Sequence, residues 1–233
     1  METTEIEKMS EIEDTHWWFC GKRNLVKSCI KNSGAFLDIG CGTGANIREF
    51  IKHSNSSISV GVEFSEDAIR ICKERVKIPL VRCSAEHLPF KNSSFDTITI
   101  LDVLEHLDND MESMKNIMRI LKPKGKLIIS VPAHMFLWDD HDILLHHKRR
   151  YAMKELESKL KGVGFKITKI SYWNFLLFPM AFIYKILNKG TDTDKMNKLM
   201  NKILYIAISL DNFLIKKFYL PFGVSIFCIA EKM

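Results

Sequence analysis

Short apolar runs alternate with amphipathic stretches along most of the chain. AFLDIG is followed by a helical pattern from about Ala45, SISVGVEF by one from Glu66, FDTITILDV by one from Asp110 and GKLIISV by one from Met153. IPLVRC, GFKITKISYW and VSIFCIAEK complete the series of apolar runs. Runs rich in Ile and Val, each leading into a 3.6-residue periodicity, are what right-handed βαβ units produce. The pattern predicts an α/β fold, a doubly wound and mostly parallel sheet. Upstream, Leu25, Val26, Cys29 and Ile30 recur at helical spacing and predict a helix ahead of the sheet. Ser65 before Glu66 and Asp67 reads as a helix N-cap with first-turn acids, and KPKG at 122–125 as the end of a helix turning into a strand.

Past the sixth run the pattern changes. SYWNFLLFPMAFIYKIL, residues 171–187, is almost uninterruptedly apolar. A helix over 172–188 would be roughly 25 Å long, short of a ~30 Å hydrocarbon core, and Pro179 interrupts it. Its apolar side chains point all round the axis, so lipid, a partner subunit or another helix must cover it. After the polar stretch NKGTDTDKMNK, a second helix from about Met196 to Tyr219 is amphipathic. Lys198, Lys202, Ser209, Asn212 and Lys216 mark one side against Leu199, Ile203, Ile206, Leu210, Phe213 and Leu214. The default for this second helix is to pack its apolar side on the sheet. The pair reads as a helical hairpin that lies at a membrane interface or covers a binding pocket, with a homodimer contact as the alternative.

With 233 residues, six prolines, eleven glycines and no internal repeat, one domain is expected. Hydrophobic residues at 46% and charged residues at 27% exclude a disordered chain. The formal charge of +6 permits attraction to phosphates or anionic lipid, and no nucleic-acid partner is expected from it. Six cysteines without a CxxC pair, and an acidic rather than basic and apolar opening, point to a cytoplasmic protein with free thiols, peripheral at most to a membrane.

The densest chemical signal is LDIGCGTGAN at 37–46, between a predicted strand and a helix. Its glycines allow a sharp turn and a ligand's close approach, and the helix start offers free N–H groups. A nucleoside-containing cofactor is expected. Gly40, Gly42 and Ala45 also fit a dinucleotide turn. Asp38, however, would repel a pyrophosphate and suits a ligand carrying an ammonium and a sulfonium. Glu63, able to accept from ribose hydroxyls, fits either ligand.

LDIGCGTG, GVEFS, RCSAEHLPF, FDTITILDVLEHLDN and LKPKGKLIISVP together, in this order over roughly a hundred residues, resemble the class I S-adenosylmethionine-dependent methyltransferases. The resemblance implies a Rossmann-like sheet of seven strands, the last antiparallel and inserted beside the fifth, with S-adenosyl-L-methionine as cofactor. By it, Asp38, Gly40, Cys41 and Gly42 line the methionine end, Glu63 holds the ribose and Phe64 lies beside the adenine. Ser84, Ala85 and Glu86 face the adenine edge, and Leu101, Asp102 and Val103 pass under the methionine moiety. Ser84 stands where the family commonly has an Asp. His16, Trp17, Trp18, Phe19 and Arg23 look like the lid of a subgroup beginning HWWF, with Arg23 near the cofactor carboxylate; the tryptophans equally fit a staple of the first helix to the sheet. The segments implied are a lid at 1–33, a cofactor-binding core at 34–171, an apolar insertion at 172–222 and a final strand at 223–233. The common fold needs only a short connection where this insertion falls.

Methyl transfer from a sulfonium is an in-line displacement, so the protein must align the acceptor and, for a hydroxyl, take its proton. His106 in VLEHL is one candidate base. Resembling ubiquinone-biosynthesis O-methyltransferases associate the corresponding positions with a metal, here Asp102, Glu105 and His106, but a structural turn is the favoured reading and no metal is assigned. The second concentration is PAHMFLWDDHDILLHHKRRY at 132–151, whose His141, Asp142, Arg149, Arg150 and Tyr151 are catalytic candidates: paired arginines to grip an anion, a histidine as base. A basic helix start on a solvated face competes with that reading. The expectation is O-methylation of a small or lipid-linked acceptor. A non-catalytic cofactor-binding scaffold at a membrane and an NAD-dependent oxidoreductase are the alternatives.

Overall fold

A computed structural model describes residues 3–30, 34–186 and 197–233. The seven strands are β1 (Ala35–Ile39), β2 (Ile58–Glu63), β3 (Leu80–Arg82), β4 (Phe95–Leu101), β5 (Leu121–Pro132), β6 (Phe165–Trp173) and β7 (Ser225–Lys232). They form one sheet in the order β3-β2-β1-β4-β5-β7-β6. The pairs from β3 to β5 are parallel, whereas β7 runs antiparallel between β5 and β6. AFLDI is buried at all five positions, as a central strand covered on both faces must be. Helices α1 (Thr3–Ile12) and α2 (Trp17–Lys27) precede the sheet, and α3 (Ala45–Ser54) and α4 (Glu66–Arg75) connect its first strands. On the chain's later half lie α5 (Asp110–Ile120), a short α6 (Asp140–Leu144), α7 (Met153–Val163), α8 (Phe178–Ile186) and α9 (Lys198–Lys217).

Two apolar layers result. One packs Met114 and Ile117 of α5 and Leu156 and Leu160 of α7 on one sheet face. The other packs Leu25 and Val26 of α2, Ile47 and Phe50 of α3 and Ile208 and Ile215 of α9 on the opposite face. Ser65 caps α4 as expected, accepting from the Ala68 N–H at 3.3 Å. Most of the acidic opening, part of the expected lid segment, forms helix α1. KPKG lies within β5 rather than before it, at the irregularity where the β4 register shifts, because α5 already stops at Ile120.

The C-terminal insertion departs furthest from expectation. β6 runs on through Trp173, so the apolar segment begins as a strand. Trp173 is fully buried, its ring 5.4 Å from that of Trp18. Pro179 is the second residue of α8, where its fixed φ favours helix initiation, rather than a break within a longer helix. Most of the polar connection to α9 lies outside the described residues. α9 is turned over: its buried face is Leu204, Ile208, Asp211, Asn212 and Ile215, while the stripe Leu199, Ile203, Ile206, Leu210 and Phe213 is exposed. Hydrogen bonds explain the inversion. Asn212 donates to Gly21 O and accepts from Trp173 Nε1, both at 2.8 Å, and Asn201 receives the Trp17 N–H at 2.8 Å. These polar contacts, with a close approach at Gly21, fix which side faces α2.

Candidate active site

β1 ends in a turn at the carboxyl edge of the sheet. Gly40 has φ +73°, and a Cβ there would collide with Val103 from the β4 end, so only glycine admits that packing. Gly42, φ +55°, faces open space, the cradle a ligand can enter. Cys41 is buried, its N–H donating to Val62 O at 2.9 Å. Asp38 is 2% exposed; its Oδ1 accepts from the Thr99 hydroxyl at 2.6 Å and its Oδ2 has no partner. Burial pushes this carboxyl up to about 7. Glu63 spans the mouth of the turn, accepting from the N–H groups of Gly42 at 3.0 Å and of Phe64 and Ser65 at 2.8 Å. Phe64 is 70% exposed beside it. Beyond β3, Ser84 Oγ accepts from the Glu86 N–H at 3.2 Å, Ala85 is buried, and Glu86 accepts from the Asn109 N–H at 2.7 Å, tying this loop to the one after β4.

Leu101 is buried at the end of β4. The next residue, Asp102, sits at φ +53°, its carboxylate accepting from Ser130 Oγ at 2.9 Å and pairing with Lys22. Lys22 is buried, and burial pushes its ammonium down to about 7, with Glu105 acting in the opposite sense. The residue of α2 that reaches the β4 end is thus Lys22, whereas Arg23 donates to Glu13 O at 2.7 Å, away from it. One step along a helix turns a side chain by about 100°, so the adjacent cations face different neighbours. Half-buried Trp18 packs against Trp173 with the rings tilted by 44°, while His16 and Trp17 bury ring nitrogens that lack partners. α1 is latched onto the glycine turn through Glu13, which pairs with Thr43 and Arg75.

The loops after β4 and β5 interlock. Lys148 N–H donates to Glu105 O at 2.8 Å and Arg149 to Leu107 O at 2.9 Å. Asp142 is fully buried and spends its carboxylate on His147 Nδ1 at 2.7 Å, Arg150 Nε at 2.9 Å and the Asp139 N–H at 2.9 Å. Burial would raise its pKa, but His147 and Arg150 hold it well below the carboxylate range. Tyr151 is buried, its hydroxyl donating to Asp110 at 2.7 Å, and burial pushes its ionisation far upward. Asp142, Arg150 and Tyr151 are therefore parts of the scaffold, Arg149 is engaged by the β4 loop and Asp110, and His141 points to solvent. The pattern HDILLHHKRRY concentrated charge because these residues neutralise and hold one another. None of these arginines presents a free anion grip.

Next to this network lies His106, whose ring is 4.7 Å from that of His147, edge on. Burial, aided by His147, pushes His106 down to about 4, leaving a neutral imidazole. Glu105 is fully buried with both oxygens unpartnered, and burial pushes it up to about 8. One ligand atom from each of Glu105, His106 and His147 falls within 4.8 Å of the others, a spacing that a bound cation could bridge. Beside this, His134 (φ +62°) stacks on Tyr172 at 4.8 Å within an aromatic group including Phe136, Phe178, Phe182 and Phe222. Sequence reasoning assigned no role to Lys22, Glu105 was weighed only as a ligand, and His147 was one of several histidines in a loop. A cavity of about 670 Å³ lined by Arg23, Arg48, Glu49 and Tyr205 lies on the α2–α3–α9 side and contains none of the glycine-turn residues.

A sheet in this order with an antiparallel last strand, a glycine turn opening on a buried acid, and a second acid closing β2 make a Rossmann-like fold with the frame of a nucleoside-cofactor site. The chain belongs to the class I S-adenosylmethionine-dependent methyltransferases. Residues 37–129 match the family model described as a methyltransferase domain. The uncharacterized protein MJ1252 of Methanocaldococcus jannaschii is 31% identical over 70% of this chain and 74% of its own length. The ubiquinone/menaquinone biosynthesis C-methyltransferase UbiE of Geobacter sulfurreducens is 30% identical over 50% of this chain and 47% of its own. Among solved structures, a SAM-dependent methyltransferase of Thermotoga maritima superposes with a TM-score of 0.65 at 20% identity, covering 99% of this chain and 96% of that one. Phosphoethanolamine N-methyltransferase 2 of Haemonchus contortus, solved with S-adenosylhomocysteine, gives a TM-score of 0.65 at 20% identity over 100% and 58%. At such identities these two attest the fold. S-adenosylmethionine is the cofactor, and the nicotinamide alternative falls. The residues fit it: the orphaned Asp38 oxygen suits a cationic ligand and Gly42 leaves the space a ligand needs.

Proposed function

We propose that the protein transfers the methyl group to a hydroxyl oxygen of a small or lipid-linked acceptor seated between the loops after β4 and β5. The observation that carries this reading is the neutral imidazole of His106, just past Asp102 and the β4 end, packed edge on against His147, whose Nδ1 is held by the buried Asp142 carboxylate at 2.7 Å. When bound, S-adenosylmethionine would supply an electrophilic methyl group, its sulfonium becoming a thioether. Asp38, Glu63 and Phe64 would hold its amino, ribose and adenine parts respectively, and Lys22 its carboxylate. His106 accepts the hydroxyl proton as the acceptor oxygen takes the methyl group. The aromatic group of Phe136, Phe178, Phe182 and Phe222 supports an acceptor with an apolar or ring-containing body.

The names of the UbiE relatives favour a second reading, methylation at carbon, for which deprotonating a neighbouring hydroxyl would use the same base. The test charges cell extract with radiolabelled cofactor and asks whether label enters organic solvent and whether hot hydriodic acid releases it as volatile methyl iodide, which O-methyl groups give and C-methyl groups do not. His106→Ala is expected to lower turnover by about 10²–10⁴-fold with cofactor affinity unchanged. Equal turnover by H106A removes the base assignment. Loss on chelation that added divalent metal restores assigns the Glu105, His106 and His147 cluster to a cation instead.

A further inference from the structure

Helix α9 turns its apolar side outward. Leu199, Ile203, Ile206, Leu210 and Phe213 recur at spacings of four and three and are 50–65% exposed, making one continuous stripe along the 20-residue helix. Scattered exposed apolar residues are normal, whereas a contiguous stripe marks a surface that something covers. Its borders are of one sign: Lys198, Lys202, Lys216 and Lys217 are exposed, and the helix's only acid, Asp211, is buried against the protein. The ammonium of Lys217 lies 4.5 Å over the Phe213 ring and that of Lys169 5.1 Å over the Tyr219 ring, the apolar-body, charged-tip pairing suited to a headgroup layer. Phe218 and Tyr219, directly after the helix, are 56% and 72% exposed.

We propose that α9 lies flat on an anionic lipid bilayer, its stripe in the acyl boundary and its lysines at the phosphates. Charge decides between occupants. A second copy pairing stripe to stripe would bring lysines against lysines with no outward carboxylate on the helix to answer them, while an anionic headgroup layer answers all four. A crossing is not what the helix is built for: no described helix is long and apolar enough to span a membrane. The opposite face is already committed, through Asn212 and Ile208 against α2, so docking needs no unfolding of the lid or the sheet.

The proposal stands apart from the choice of acceptor, and the test keeps them apart. The full chain is sedimented with vesicles of phosphatidylcholine alone and of equal parts phosphatidylcholine and phosphatidylglycerol, while calorimetry with S-adenosylmethionine reports the fold. Binding to the anionic vesicles, weakened by salt, is expected, and it should drop by about tenfold or more in I206S/F213S and in the variant with the four lysines changed to Gln. Cofactor affinity should not change in either. Failure of the wild-type chain to pellet with anionic vesicles while still binding cofactor overturns the proposal. So does pelleting that both variants retain, and so does a dimer in light scattering that I206S/F213S disperses without any vesicle binding, which would assign the stripe to a second copy.

Discussion

Asp38 is a buried carboxyl at the glycine turn with one oxygen left without a partner. Its pKa stands near 7 against an ordinary 3.8, so folding stability from this group is complete below pH 3.8 and is lost as pH rises through 7. A bound cation reverses the preference. Cofactor binding should therefore release a proton near neutrality and weaken roughly tenfold per unit below pH 7, which calorimetry in buffers of different ionisation enthalpy measures; Asp38→Asn should abolish the release. Glu105 offers the complementary test. Its carboxyl is raised to about 8 from 4.5, so the wild type loses stability as pH rises from 4.5 to 8, and Glu105→Gln does not. Denaturant titration at pH 8 should find E105Q more stable, by on the order of 1–3 kcal/mol. The glycine turn that carries Asp38 was legible because it sits in ten consecutive residues between a strand and a helix. Lys22 and His147 were not, since which of two adjacent cations or histidines faces a site depends on a helix rotation or loop path set by distant partners. Asp142, Arg150 and Tyr151 looked reactive for a related reason: residue type shows charge, and only packing shows that the charge is already spent.

At the scale of elements, the contact of α2 with α9 holds the lid side together. A Cβ at Gly21 would come within 2.5 Å of Ile208 Cδ1, so Gly21→Ala should cost about 1–3 kcal/mol in thermal or denaturant unfolding, as overpacked sites do. Asn212→Ala should be comparable, because it strands the buried Trp173 Nε1 and Gly21 O. Periodicity told correctly that this helix has two faces. It could not tell that three side-chain hydrogen bonds, made by residues a polar-outside rule sends to solvent, would draw the polar side inward. The same limit explains Trp173, whose place in β6 rather than in a helix follows from pairing with β7.

For the whole molecule, the sheet was the most legible feature, since every strand from β1 to β7 was marked by an apolar run and the family resemblance implied the antiparallel last strand beside the fifth. α1 was missed because its apolar contacts are few and its role is to latch Glu13 onto Thr43 and Arg75. Saturating cofactor should consequently protect the amides of α1 and α2 from hydrogen exchange and raise the melting temperature, with about 2.7 kcal/mol of added stability at a hundred times the dissociation constant. Protection confined to β1 and β2 would deny the lid its part.

The antiparallel wedge of β7 between β5 and β6 also bears on how the chain is made. Translation delivers β5 and β6 well before the strand that joins them, with α8 and α9 emerging in between. Until β7 arrives, the nascent chain displays two unpaired strand edges that are meant for a third segment and open to pairing with a neighbour. During that interval the apolar stripe of α9 and these edges are exposed together, the combination that favours pairing with a neighbouring chain.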